Sequence, residues 1–309
     1  MSDVVVVDGL RHQYGDRVAL GGISFKVPTG EIFGLLGPNG GGKTTLFRIL
    51  TTLLAPTGGT AAICDHDVVR ERARVRTKLG VVFQSPSLDI HLRARENLRH
   101  SGHLYGLSGR DLEDRIEQSL ARLRVLDRAD DMVKTLSGGL RRRVEIAKCM
   151  LHRPALLILD EPSTGLDPGA RLDLWRNLQE LVQAEGTTIL ITTHFMDEAE
   201  RCGRVAILNR GKLVVTGGPP ELKSKLGGDC ITIETDEAVT LRDAIEARFS
   251  CITMVVGDAV RIETPEASSM MSQIMESFGS RIRSMTIGKP TLEDVFMHHT
   301  GHRFDGDAS

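Results

Sequence analysis

Gly37-Pro38-Asn39-Gly40-Gly41-Gly42-Lys43-Thr44-Thr45 decides the fold of this chain. Gly37, Gly42, Lys43 and Thr44 stand at the offsets of a G-x-x-x-x-G-K-[ST] phosphate-binding loop. The apolar run Ile32 to Leu36 leads into it, and Leu46 to Leu54 continues out of it with helical spacing. Strand, glycine loop, helix is the setting in which such a loop holds phosphate. Where Cβ atoms are absent the backbone N–H groups can close around phosphate oxygens, and the N-terminus of the next helix adds a positive dipole. Lys43 supplies a charge for β- and γ-phosphates, and the Thr44 hydroxyl suits Mg²⁺.

A second segment, Leu136-Ser137-Gly138-Gly139, precedes Leu140 to Lys148, a helical pattern with Leu140, Val144 and Ala147 on one stripe. Alone, Ser-Gly-Gly at a helix start is an ordinary cap. Here the helix is followed by Ala155-Leu156-Leu157-Ile158-Leu159-Asp160-Glu161, an apolar strand ending in two carboxylates. Over roughly residues 4–225 the chain resembles the ATP-binding cassette (ABC) ATPases. The matching elements, in order, are Tyr14, the phosphate loop, Gln84, Leu136-Ser137-Gly138-Gly139, Asp160-Glu161-Pro162, Ser163-Thr164-Gly165-Leu166-Asp167 and His194. Two positions depart from the family habit: Gly41 stands where relatives carry Ala or Ser, and Leu140 where many carry Gln.

The resemblance implies an α/β fold: a RecA-like P-loop core, an antiparallel β region and an α-helical subdomain at about residues 85–140. It also implies roles. ATP would be held by Tyr14 stacking on adenine and by the loop residues Gly37, Pro38, Asn39, Gly40, Gly41, Gly42, Lys43, Thr44 and Thr45. Mg²⁺ would be held by Thr44, Gln84 and Asp160. Glu161 would act as general base or water-orienting carboxylate, His194 would contact the γ-phosphate, and Lys43 and Gln84 complete the catalytic set. Ser137, Gly138, Gly139 and Asp167 would meet the nucleotide of a second copy or a sister ATPase subunit, giving a head-to-tail dimer that drives a separate membrane permease. The stretch Ser85–Glu96 would face that permease.

Composition agrees. The chain has 309 residues, 40% hydrophobic, with a formal net charge of −2. The near-balanced charge and lack of a basic tail argue against nucleic acid as main partner. Five scattered cysteines without a C-x-x-C pair read as reduced thiols. Met1-Ser2-Asp3-Val4 lacks the regions of a secretory leader, and no apolar run approaches the roughly 18–20 residues of a membrane span. The expected place is the cytoplasmic face of a membrane, as a peripheral subunit.

From Asp229 the pattern changes to short alternations: strands at Cys230–Glu234, Thr253–Val256, Ala259–Glu263 and Ile282–Ile287, with helices at Leu241–Phe249 and Ala267–Phe278. The order β-α-β, β-α-β predicts a small ferredoxin-like domain over 229–309, after a cassette over 1–228. Met270, Met271 and Met275 read as core filler, and His298, His299 and His302 as an exposed tail. The closing Lys289-Pro290-Thr291-Leu292-Glu293-Asp294-Val295-Phe296 and the run Leu136 to Arg143 are similar to ATPase subunits of antibiotic and multidrug exporters of the daunorubicin-resistance type. Exporters of polysaccharide, nodulation factor, sodium or haem use close relatives, so those cargoes stay open. Non-transport ABC ATPases acting on nucleic acid or ribosomes form another alternative. The segment between Lys43 and Leu136 is too short for the coiled coil of the DNA-repair type, and the ribosome-acting type carries two cassettes.

Overall fold

The computed structural model describes residues 2–251, 253–302 and 304. The chain divides into two compact units, Met1–Thr216 and Gly217–Ser309.

The first unit opens with a long hairpin, β1 (Asp3–Tyr14) and β2 (Arg17–Pro28), followed by β3 (Ile32–Leu36) and helix α1 (Lys43–Leu50). Next come β4 (Gly58–Ile63), β5 (His66–Asp67), α2 (Arg72–Lys78) and β6 (Leu79–Val82). A helical layer follows: α3 (Ala94–Leu104), α4 (Gly109–Arg122) and α5 (Gly138–Met150). The core then closes with β7 (Leu156–Asp160), α6 (Pro168–Glu185), β8 (Thr188–Thr193), α7 (Met196–Ala199), β9 (Arg204–Asn209) and β10 (Lys212–Gly217).

Two sheets result. Strands β2-β1-β4-β5 form an antiparallel one, and β10-β9-β3-β8-β7-β6 the larger one. In the larger sheet β3 pairs parallel with β8 and β9, and β7 with β8 and β6. Every residue of β3, β7 and β8 is buried. That is why these strands read as unbroken apolar runs rather than alternations: helices or the second sheet cover both faces. Phe47, Ile49 and Leu50 of α1 pack with Val5, Leu10 and Ile23 of the hairpin in one core, so the phosphate loop is clamped between sheet and helix.

Val4–Val7 and Leu10–Tyr14 read in the sequence as two strands with turn residues between them, but both belong to β1. It is one strand whose pairing slips between Val7 and Leu10, where Gly9 takes a left-handed φ of 54°. The glycine lets the strand bulge and continue where its sequence suggests a turn. The helical layer is held by the stripe Leu112, Ile116 and Leu120 of α4.

The second unit contains α8 (Pro219–Ser224), β11 (Asp229–Glu234), α9 (Ala238–Phe249), β12 (Thr253–Val256), β13 (Ala259–Thr264), α10 (Ala267–Phe278), β14 (Ser284–Gly288) and α11 (Leu292–Thr300). Its sheet runs β12-β13-β11-β14, antiparallel throughout, which is the ferredoxin-like arrangement. Ile231, Ile233, Val260 and Ile262 form its core with Leu241, Ile245 and Ile274, and Met270 and Met271 fill beside them, while Met275 is exposed. The unit begins at Gly217, earlier than the expected Asp229, because α8 packs on α11. His298 and His299 close α11 and do not stand in a tail. All five cysteines are free thiols.

Candidate active site

The carboxyl ends of parallel strands are where open α/β sheets bind ligands, and four such ends converge here. Strand β3 runs into the glycine loop, β7 ends at Asp160 with Glu161 next, β8 leads to His194, and β6 to Gln84. Glu161 is the hub. Gln84 Nε2 donates to Glu161 Oε2 at 3.1 Å, and the Thr164 hydroxyl reaches the same oxygen at 3.4 Å. Lys43 Nζ lies 3.8 Å from Glu161 Oε1. His194 Nδ1 lies 3.2 Å from that oxygen, without hydrogen-bond geometry. The Glu161 backbone has φ 44°, a left-handed conformation rare outside glycine. Its N–H holds that turn by donating to Thr192 O and Thr192 Oγ1 at 3.1 and 3.0 Å. Strain of this kind costs about 1–3 kcal/mol and concentrates at functional sites.

Lys43 is buried, and its ammonium donates to Gly37 O at 2.6 Å and Pro38 O at 3.1 Å. Burial pushes its pKa down from the ordinary lysine value, opposed by the Glu161 and Asp160 carboxylates. Burial pushes Asp160 up, opposed chiefly by the Thr192 hydroxyl, which donates to Asp160 Oδ1 at 2.5 Å.

The loop borders a cleft of about 270 Å³ whose lining includes Tyr14, Asn39, Gly40, Lys43, Thr44 and Thr45. Arg17 and Arg48 line it too, which sequence reasoning missed. Three cations and the N-terminus of α1 against one carboxylate, Glu161, suit a polyphosphate. Two glycines are dictated by space. A Cβ on Gly37 would lie 2.5 Å from Leu208 O, and one on Gly42, at φ 108°, 2.9 Å from Ala19 O. We expect Gly42→Ala to weaken nucleotide binding at least tenfold and lower stability by about 1–3 kcal/mol, read by nucleotide titration and urea unfolding.

A family model described as ABC transporter matches residues 20–164. The chain is 37% identical over 308 residues to the daunorubicin resistance ATP-binding protein DrrA3 of Streptomyces coeruleorubidus, covering 97% of each. This chain belongs to the ABC transporter family. It is 38% identical over 304 residues to the Nod factor export ATP-binding protein I of Cupriavidus metallidurans, covering 97% of this ABC protein and 98% of that one. Among solved structures, cbiO1 of Clostridium perfringens, part of the ABC transporter complex cbiONQ, superposes with a TM-score of 0.68 and 27% identity over 81% of this chain and 97% of its own. A dimeric ATP-binding cassette in a post-hydrolysis state bound to ADP and Pi gives 0.62 and 25% over 69% and 98%. The protein is therefore a nucleotide-binding ATPase subunit of an ABC transporter.

Not every predicted site residue joins the hub. Ser137, Gly138, Gly139 and Asp167 lie apart from the cleft lining. Ser137 caps α5, its hydroxyl accepting from Leu140 N at 3.3 Å, and Asp167 caps α6, accepting from Ala170 N at 2.9 Å. The two caps are neighbours, since a Cβ on Gly139 would lie 2.7 Å from Ala170 Cβ.

Sequence reasoning also missed what anchors Gln84. The buried Arg142 of α5 donates to Phe83 O at 2.8 Å, Gln84 O at 3.3 Å and Glu145 Oε2 at 2.9 Å. Glu145, equally buried, accepts from Ser87 N at 2.6 Å. The helix that begins at Ser137 thus grips the segment that carries Gln84.

Proposed function

We propose that this ATPase subunit works as one half of a head-to-tail pair that powers export through a separate membrane permease. The observation that supports this best is the convergence of Gln84, Lys43 and His194 on Glu161 at the strand ends. In this reading the glycine loop from Gly37 to Thr45 holds the phosphates, and Tyr14, 44% exposed at the cleft, offers a face to the base. Arg17 and Arg48 add charge to the same cleft. Thr44, Asp160 and Gln84 present the oxygen donors that Mg²⁺ prefers, and Mg²⁺ when bound neutralises charge building on the phosphates. Glu161 orients the attacking water and takes its proton, while His194 and Gln84 hold the carboxylate in place.

The caps at Ser137 and Asp167 explain why the pair is needed. Both lie away from the chain's own cleft, at helix N-termini whose dipoles suit a phosphate brought by a second copy. Ser137→Arg is expected to abolish ATP-dependent dimerisation while leaving ATP binding to the single chain intact. Sedimentation with and without Mg-ATP checks this, and undiminished dimerisation overturns the composite site.

No helix among the described residues is long and apolar enough to cross a membrane, so the transport path belongs to the permease in this reading. A groove beside β6, lined by Thr51, Arg76, Phe83, Tyr105 and Lys148, adjoins Gln84 and suits a docking segment of that permease at the cytoplasmic face. Both named relatives serve resistance or export by their names, which supports outward transport. Co-purification with a co-expressed membrane subunit, lost when Phe83 is changed to Asp, tests the docking.

A further inference from the structure

The ferredoxin-like unit carries a cavity that nucleotide chemistry does not use. Alternation along β11 and β13 turns Ile231, Ile233, Val260 and Ile262 toward α9 and α10. It turns Cys230, Arg261 and Glu263 to the opposite face. There, between β11–β13 and α11, lies a space of about 180 Å³. An engineered apolar cavity of about 150 Å³ takes up benzene, so the volume suits a molecule of that size with a small polar head.

The walls are mixed in a specific way. Leu226, Met254, Met297 and Cys230 make the apolar part, and the two methionines can adjust to an irregular guest. Among the charges, Arg261 and Asp294 pair: Arg261 Nη2 meets Asp294 Oδ1 at 2.5 Å, and Asp294 Oδ2 accepts from Thr291 N and Thr291 Oγ1 at 2.7 Å each, while Arg261 Nε is buried without a hydrogen-bond partner. Glu263 is left over. Among the described residues its carboxylate accepts no hydrogen bond; His298 Nδ1 lies 3.7 Å away, and the Arg261 guanidinium acts on it from further off. The formal charges of Arg261, Asp294 and Glu263 sum to one negative charge, which His298 offsets only when protonated.

We propose that this cavity binds a small organic cation, a primary amine with an apolar body about the size of a benzene ring. Its ammonium meets Glu263 and its body lies against Met254, Met297 and Leu226. Burial already pushes the Glu263 carboxyl up from its ordinary range, so a fixed cation beside it removes a standing cost of the fold. The site is independent of the ATP reading, because it shares no residue with the nucleotide cleft.

The test is calorimetric titration of the full chain with benzylamine, benzyl alcohol and benzoate. A charge-assisted contact of this kind is expected to favour the amine over the alcohol by about 10- to 100-fold, with benzoate weaker still. Glu263→Gln should erase the preference, Met297→Trp should fill the cavity and remove binding, and Lys43→Ala should leave amine binding unchanged. Equal affinity for amine and alcohol, or no amine binding at millimolar concentration, overturns the proposal. Those comparisons use the unmodified chain, so they decide the matter even where a variant fails to fold.

Discussion

Replacing Glu161 with Gln is expected to slow ATP hydrolysis by roughly 10²- to 10⁴-fold, the share a positioned general base contributes. The amide keeps the shape of the carboxylate and can still accept the Gln84 amide that now sits 3.1 Å from Glu161 Oε2. What disappears is the negative charge beside Lys43 and His194. Nucleotide affinity should therefore change little, because the glycine loop, Arg17 and Arg48 are untouched. With hydrolysis blocked and binding kept, Mg-ATP should hold the variant in the closed pair. Turnover at saturating ATP and sedimentation of the same sample report the two effects separately. A variant that hydrolyses ATP at the parent rate would show that the water is activated elsewhere. One that is slow but stays monomeric with ATP would place the failure in the pairing of the caps at Ser137 and Asp167.

The contrast with His194 sharpens this. Its ring meets Glu161 without hydrogen-bond geometry, so in the proposed mechanism it would steady the carboxylate and not replace it. His194→Ala should lower turnover less than Glu161→Gln, and the double variant should be no slower than Glu161→Gln alone, since both act through one group.

How much of this was legible in the sequence depends on whether the cause was local. The glycine loop was readable because Gly37 and Gly42 answer to the shape of the loop itself and its immediate strand and helix. Strands β3, β7 and β8 were readable because burial on both faces leaves an unbroken apolar run. Arg17 was not, since only the turn between β1 and β2 carries it to within 3.7 Å of where a Cβ on Gly40 would stand. The hairpin was misjudged at Gly9, where a residue that usually ends strands instead supports a bulge. The start of the second unit was missed because α8 belongs with α11, a partner some seventy residues later in the chain, about which local composition is silent. Most telling is Arg141-Arg142-Arg143. Three arginines in a row suggest a solvated face, yet the middle one is buried, because the groups it satisfies lie on a segment far back in sequence.

That buried arginine supports the second large effect. Glu145→Ala should destabilise the chain by about 3–5 kcal/mol, the usual result of stripping one partner from a buried ion pair. The variant strands the Arg142 guanidinium with only two carbonyls and leaves Ser87 N without its acceptor. Stability alone, however, does not separate packing from positioning. The double variant Arg142→Met, Glu145→Leu does, because replacing both charges of a buried pair by apolar groups of similar size is often neutral or stabilising. Its unfolding midpoint in urea should therefore recover most of the loss. Its turnover should not, because Phe83 O, Gln84 O and Ser87 N have all lost their anchors on α5, and Gln84 no longer holds Glu161 in register. Recovery of stability without recovery of hydrolysis would show that the helix beginning at Ser137 sets the position of Gln84. In the paired state, contact at the cap of one end of α5 would then reach the catalytic carboxylate through a single rigid helix. Parent-level turnover in the double variant would mean that Gln84 finds its place unaided, and that the Arg142–Glu145 pair serves the fold alone.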